Sequence, residues 1–259
     1  MKLLPHPAKP QFQTQLLCFL AMNCGAISAI AQSSVSLGVA ESFAVLGGST
    51  VTDAGASSFY GDVGVSPGTS VTGIDGSSVS GGSIHLNDAI AMQAHTSAEA
   101  AYITLEGLSS NFDLSGSDLG GMVLAPGVYT FATSAQLTGI LTLDGLGFSN
   151  PEWIFQIGST LTTASDSEIL AINGANSSNV FFQVGSSATL GTGTDFVGNI
   201  LADQSISSTS GVTVDGRLLA INAAVTLDGT VVAIPEPCSS ALAALSVLGL
   251  SLSRRRVTR

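Results

Sequence analysis

The amino-acid sequence predicts an all-β-dominated chain folded as a β-solenoid, with one long α-helix packed alongside. Three observations predict it. Short runs alternate apolar and polar residues between glycines, as in Leu137-Thr138-Gly139-Ile140-Leu141-Thr142-Leu143, the period-two signature of strands. One such run returns: Ile154-Phe155-Gln156-Ile157-Gly158-Ser159 is echoed by Phe181-Phe182-Gln183-Val184-Gly185-Ser186, 27 positions later. A single segment breaks the alternation and carries helical spacing instead.

The repeated run defines the expected rung. Each copy continues into a second strand, Thr160-Leu161-Thr162 and Ser187-Ala188-Thr189, with weaker echoes at Ser205-Ile206-Ser207 and Ala224-Val225-Thr226. Repeats of roughly 20–30 residues built from short strands and corners stack as solenoid rungs. Because alternate strand residues face opposite sides, Leu161, Ala188, Ile206 and Val225 are expected to stack inward. Thr162, Thr189, Ser207 and Thr226 then form an outward ladder of hydroxyls. A β-sandwich also uses alternating strands, but it does not explain why the same hydroxyl-bearing position recurs.

The helical segment runs from about 87 to 106. Ile90, Ala94, Ala98, Ala101 and Leu105 recur at three- and four-residue steps, the stripe of an amphipathic helix. Asn87 suits the N-cap, Asp88 the positive end of the dipole, and Gly107 the stop. Twenty residues make a rod of roughly 30 Å, about the span of six rungs spaced 4.8 Å apart. The helix is therefore expected to lie along one flank of the solenoid.

Both ends of the 259-residue chain read as addresses. Residues 1–31 carry Lys2, His6 and Lys9, then a largely apolar run from Leu16 to an Ala29-Ile30-Ala31 cleavage site, the pattern of a secretory signal peptide. An N-terminal anchor helix is the alternative reading. The domain is expected over 32–234. Residues 235–259 hold Pro235-Glu236-Pro237, an apolar run from Ala241 to Leu252, and Arg254-Arg255-Arg256. That run falls short of the roughly 20 residues that cross a bilayer comfortably, and the arginines would hold its end on the cytoplasmic side. The arrangement resembles the PEP-CTERM sorting tail of bacterial surface proteins. The resemblance implies that Pro235, Glu236 and Pro237 are recognised by a membrane sorting enzyme, that the tail is the only membrane contact, and that the domain is secreted or held at the cell surface. A plain C-terminal anchor is the alternative.

Composition narrows the function. Between positions 32 and 234, Arg217 is the one basic residue against 17 acidic ones, a net charge of −16. A domain with one cation cannot track a phosphate backbone or clamp a nucleotide, so nucleic acid is excluded as a partner. Cys18, Cys24 and Cys238 all lie in the terminal segments, leaving the domain without a disulfide, a thiolate nucleophile or a cysteine-held metal. No G-x-S-x-G elbow occurs, and Gly191-Thr192-Gly193 lacks the third glycine of a dinucleotide loop, Phe196 standing there. His85 and His95 have no evident third metal ligand, and the pair Asp166/Glu168 reads as solvated surface rather than a glycosidase pair. Neither catalytic residues, metal nor cofactor is expected: this is not an enzyme.

Further motifs carry a family resemblance. Leu37-Gly38-Val39-Ala40-Glu41-Ser42-Phe43-Ala44-Val45-Leu46-Gly47-Gly48-Ser49-Thr50-Val51-Thr52, Gly61-Asp62-Val63-Gly64-Val65-Ser66-Pro67-Gly68 and Leu124-Ala125-Pro126-Gly127-Val128-Tyr129 resemble the secreted microbial ice-binding protein family. So do Phe155 to Thr163, Phe196-Val197-Gly198-Asn199-Ile200-Leu201, Gly216-Arg217-Leu218-Leu219-Ala220 and Val225-Thr226-Leu227-Asp228. The resemblance runs through 35–232 in order. It implies a right-handed, discontinuous β-solenoid of triangular cross-section with a helix alongside, and adsorption to ice and its ordered water through one flat face. The face expected here comprises Thr50, Thr52, Thr160, Thr162, Ser187, Thr189, Ser207 and Thr226, on a monomeric domain. Serine at two of these positions, with Glu168 and Asp195 on the next strand, predicts inhibition of ice recrystallisation rather than strong freezing-point depression. The alternative is a cell-surface adhesin or matrix protein on the same scaffold, without ice activity.

Overall fold

The computed structural model describes residues 35–235. The expected signal peptide and, apart from Pro235, the expected sorting tail lie outside the described residues. Within them every strand pairing is parallel, and three strands per turn wind a solenoid with three faces. The first face is formed by Phe112–Asp113, Gly127–Phe131, Trp153–Ile157, Val180–Val184, the second halves of Asp195–Ala202 and Thr213–Ala220, then Phe43–Gly47, Asp62–Val65 and Ile84–Leu86. The second is a seven-stranded sheet ordered Ala135–Leu137, Leu161–Thr163, Ala188–Leu190, Ile206–Ser208, Val225–Leu227, Thr50–Asp53 and Ser70–Thr72. Val123–Leu124, Ile140–Asp144, Glu168–Ile172, the first halves of the two eight-residue strands, Val231–Ala233, Ser58–Tyr60 and Val79–Ser80 make the third.

Those two long strands turn the corner between third and first faces at Gly198 and Gly216. The two glycines are register partners with φ of +127° and +151°, a backbone conformation that side-chain-bearing residues resist. Another corner divides the run Leu137–Leu143. The sequence reads it as one alternating stretch, but Gly139, at φ +86°, splits it between the second and third faces.

The stacking order is discontinuous in sequence. Thr50–Asp53 lies on Val225–Leu227, and Phe43–Gly47 on Thr213–Ala220, so the first rungs of the chain cover the last. The helix, Ala89–Glu106, then carries the chain back over the first face to the opposite end, where winding resumes at Phe112. Its 18 residues span roughly 27 Å. Two corrections concern it. Asp88, not Asn87, is the N-cap, its Oδ1 accepting from the Ala91 amide at 2.8 Å; Asn87 sits at φ +48°, outside the helix. The buried stripe begins at Ala91 rather than Ile90, which is exposed. Ala94, Ala98, Ala101 and Leu105 complete it and pack on Leu46, Ile154, Phe181, Leu201 and Leu219 of the first face.

Inside the solenoid, the residues predicted to face inward do so: Leu161, Ala188, Ile206 and Val225 are each 1% exposed or less. On the inner side of the first face, Phe112, Tyr129, Phe155 and Phe182 stack with ring centroids 5.1, 5.5 and 4.5 Å apart, and Phe196 tilts against the last of them. Offset stacking of this kind adds roughly 0.5–1.5 kcal/mol per pair beyond area burial. The 27-residue repeat is the step from one such ring to the next, since Phe155 pairs with Phe182. Later rungs are shorter because they lack the loop and turn that precede Val180.

Candidate functional site

The second face is built from a tripeptide. On each rung an apolar residue points inward between two outward side chains, and parallel pairing without slippage sets these in columns. In strand register, one column runs Gln136, Thr162, Thr189, Ser207, Thr226, Thr52, Thr72. Two positions earlier on each rung stand Ser134, Thr160, Ser187, Ser205, Ala224, Thr50 and Ser70. Backbone bonds hold this second column in step: the amide after each residue donates to the carbonyl of the next, as Ala135 to Thr160, Leu161 to Ser187, Ala188 to Ser205 and Ile206 to Ala224. All eight residues expected from the sequence fall on this face. Five, Thr162, Thr189, Ser207, Thr226 and Thr52, lie in the first column, and Thr160, Ser187 and Thr50 in the second.

Sequence reasoning missed the ends of the first column, Gln136 and Thr72, and four members of the second: Ser134, Ser205, Ala224 and Ser70. A signal was present for four of them, since Ser205 and Ala224 open two of the echoes of the repeated tripeptide. Ser70-Val71-Thr72 repeats the hydroxyl–apolar–hydroxyl pattern of Thr50-Val51-Thr52, and the two strands pair directly.

Over these seven strands neither column carries a formal charge, but beyond Gln136 the first column ends at exposed Asp118, whose Oδ1 accepts from the Gly120 and Thr138 amides. Asp53, next along its strand from Thr52, turns inward and is 7% exposed; its carboxylate accepts from the amides of Gly55 and Ser57 and from the Ser57 hydroxyl at 2.6 Å. Two hydroxyls of the second column are braced: Ser134 Oγ accepts from Thr160 Oγ1 at 2.8 Å, and Ser187 Oγ from the Ser205 amide at 3.3 Å. Stacked rungs place equivalent side chains about 4.7–4.9 Å apart, and alternate residues on a strand roughly 6.6–6.8 Å apart. The result is a two-dimensional grid of small, mostly β-branched hydroxyls whose rotamers are already restricted.

The other two faces differ. The helix covers the first. On the third, Ile140, Glu168, Asp195, Thr213 and Val231 follow one another in register, beside Thr142, Leu170, Val197 and Asp215. Its acids break any uniform grid. Both histidines serve the framework: His85 lies between Asp88, at 2.8 Å from Nδ1, and Asp62, at 3.7 Å from Nε2, while His95 Nε2 meets the Ile221 carbonyl at 2.8 Å. Among the described residues no group of three His, Cys, Asp or Glu side chains is placed to hold a metal ion. Chemically, the second face presents hydroxyls, methyls and a regular spacing.

Known proteins match this architecture. The model of the family described as ice-binding-like matches residues 45–233. An ice-binding protein of Nostoc sp. (strain HG1) is 51% identical over 250 residues, 92% of this chain and 91% of the relative. One from Flavobacterium frigoris (strain PS1) is 33% identical, covering 83% and 81%. The crystal structure of an ice-binding protein from the Antarctic ascomycete Antarctomyces psychrotrophicus superposes with a TM-score of 0.76 at 39% identity, over 79% of this chain and all of that one. From its solenoid with a returning helix to its matched sequence, the chain belongs to the ice-binding-like family.

Proposed function

We propose that the protein adsorbs to ice through the second face and thereby inhibits ice growth and recrystallisation. The observation that carries this reading is the pair of columns, in register and uncharged over seven rungs, on a face that the helix leaves open and that an acid, Asp118, reaches only at one end. A threonine hydroxyl holds one water while its methyl group borders the next without binding it. Each contact is weak, so adsorption comes from many acting together on a rigid surface whose rotamers lose little further entropy. The names of the relatives in Nostoc and Flavobacterium support the same activity.

Export belongs to this reading. A signal peptide at 1–31 would bring the domain to the outside, where ice forms, and a tail processed at Pro235-Glu236-Pro237 would release it or hold it at the surface. The test is partition. Purified protein is exposed to a slowly growing ice hemisphere, and the ice and liquid fractions are assayed. Enrichment in the ice, with smaller grains in an annealed frozen film, is the expected result. Exclusion into the liquid overturns the proposal and leaves the adhesin reading of the same scaffold.

A further inference from the structure

The outer side of the first face changes chemistry along its length. Where the helix packs closely, outward residues are apolar, with Leu46, Leu201 and Leu219 against Ala94, Ala98 and Ala101. In register beyond Leu201 the column continues as Gln183, Gln156 and Thr130. Gln156 serves the framework, its Nε2 donating to the carbonyls of Leu105 at 2.7 Å and Leu108 at 2.8 Å and so closing the end of the helix. Gln183 caps nothing. It is 4% exposed, stands between Leu201 and Gln156 in strand register, and shares the lining of one groove with Tyr102. Glu106, one helical turn beyond Tyr102, and Asp203 flank the pair, and together these side chains line an open groove of about 620 Å³. Asp203 is held in place, its two carboxylate oxygens accepting from Asn222 Nδ2 at 2.8 Å and Gln204 Nε2 at 2.6 Å.

We propose that this groove is a binding site for a neutral sugar residue. The volume lies within the roughly 300–1,000 Å³ of small-molecule sites. Its polar groups are mostly acceptors, which suits a ligand that brings several hydroxyl donors, while the amide of Gln183 supplies donor and acceptor together for adjacent hydroxyls. Glu106 and Asp203, in a domain of strongly negative charge, repel uronate, sulfate and phosphate groups, so the sugar carries no acidic group. Burial, with the nearby Asp203 and Glu106 carboxylates, raises the pKa of Tyr102 above its ordinary value, so its hydroxyl stays a donor across neutral and mildly alkaline pH. The groove lies between the end of the helix and the corner formed by Ala132, Gly158, Gly185 and Asp203, and no residue of the hydroxyl columns lines it, so one molecule can hold an ice surface and a sugar together.

The sugar belongs either to an extracellular polysaccharide or to a free disaccharide, and calorimetric titration of the purified full chain separates them. The probes are maltohexaose, cellohexaose and laminarihexaose, with sucrose and trehalose as the free-sugar arm and polygalacturonate as the acidic control. A Kd of roughly 0.1–1 mM for a neutral probe is expected. Tighter binding of a hexasaccharide identifies the polymer, and equal or tighter binding of a disaccharide the free sugar. Gln183→Leu keeps the packing volume and Tyr102→Phe keeps the ring; each is expected to weaken binding about tenfold or more while partition into ice is unchanged. Absence of binding by every neutral probe, equal binding of polygalacturonate, or unaltered affinity in both variants overturns the proposal. None of these outcomes bears on adsorption to ice, whose failure is read in the partition assay.

Discussion

At the scale of single residues, the hydroxyl face makes its demands through size and shape. Thr162 and Thr189 are exposed neighbours in the same column, so a bulky ring at either lifts the rest of the face away from a flat lattice. Thr162→Tyr and Thr189→Tyr are each expected to raise about tenfold the concentration needed to stop recrystallisation, the equivalent of roughly 1.4 kcal/mol of adsorption. Their unfolding midpoints should stay within about 0.5 kcal/mol of the parent, as for other surface changes; undiminished activity in both would move the site elsewhere. The grid also has a weak point: Ala224 interrupts the second column, and Ser207 and Ser205 lie on the rung it pairs with. Filling it with Ala224→Thr and Ser207→Thr together should improve inhibition, and a drop in activity would count against a regular hydroxyl lattice as the binding element. The outward alternation was legible because threonine and serine recur beside inward apolar residues. Gln136 was not, since it carries no hydroxyl and only register reveals that it stands in the first column.

Elements show where periodicity stops being informative. Three- and four-residue spacing identified the helix, but a period does not fix its phase. Hydropathy favours Ile90 in the interface; the close approach of helix to sheet admits alanine instead, so Ala91 takes the place and Ile90 faces outward. Asn87 is a good cap by residue type, yet its side chain accepts from Ser66 Oγ at 3.0 Å and its backbone is left-handed, leaving Asp88 to cap. That tightness is testable. Ala98 is fully buried against the first face, and Ala98→Leu is expected to cost about 1–3 kcal/mol by overpacking, measured as a shift in the urea midpoint. The cap adds a dependence on pH. The Ala91 amide, then the His85 side chain, hold the Asp88 carboxyl below its ordinary value of 3.8. Asp75, Asp113 and Asp144 are lowered similarly by hydrogen bonds in their turns. Since each folded pKa lies below the unfolded one, the stabilisation is complete above about pH 4 and lost as pH falls through the folded values. Urea midpoints should therefore be level near neutrality and fall below about pH 4, and an Asp88→Asn variant, which keeps a capping side chain but no charge, should lose less on acidification.

The whole molecule is set by an order that no local pattern contains. A solenoid with a lateral helix was readable from alternation, one 27-residue echo and a helical segment. Placing Thr52 beside Thr226 and Val45 beside Leu218 was not, because residues that touch across the discontinuity lie at opposite ends of the domain and share only a generic strand character; that arrangement was legible through family resemblance alone. Arg217 is the one Lys or Arg among the described residues, and it secures this joint. Its Nε and Nη2 donate to the Glu41 carbonyl at 3.0 and 2.7 Å, and its Nη1 to Asn199 Oδ1 at 2.8 Å. Asn199 in turn donates to the carbonyls of Ser177 at 3.1 Å and Val180 at 3.0 Å. Arg217 is 6% exposed, and burial lowers its pKa while Glu41 and Asp215 pull it back up; from so high a starting value it remains charged. Arg217→Met keeps the aliphatic stem but leaves the Glu41 carbonyl and the Asn199 amide oxygen without donors, a loss of roughly 2–4 kcal/mol. Arg217→Lys should recover little of it, because one ammonium cannot reproduce a planar fork between two acceptors. The damage should also be local at first. Amide exchange is expected to quicken over residues 43–72, the rungs that cover the end of the solenoid, before the rungs between 153 and 202 respond. Because Thr50, Thr52, Ser70 and Thr72 belong to those rungs, activity on ice should fall at temperatures where the remaining core is still folded. Loss of exchange protection and of activity in step with global unfolding would instead make the joint an ordinary part of one cooperative unit.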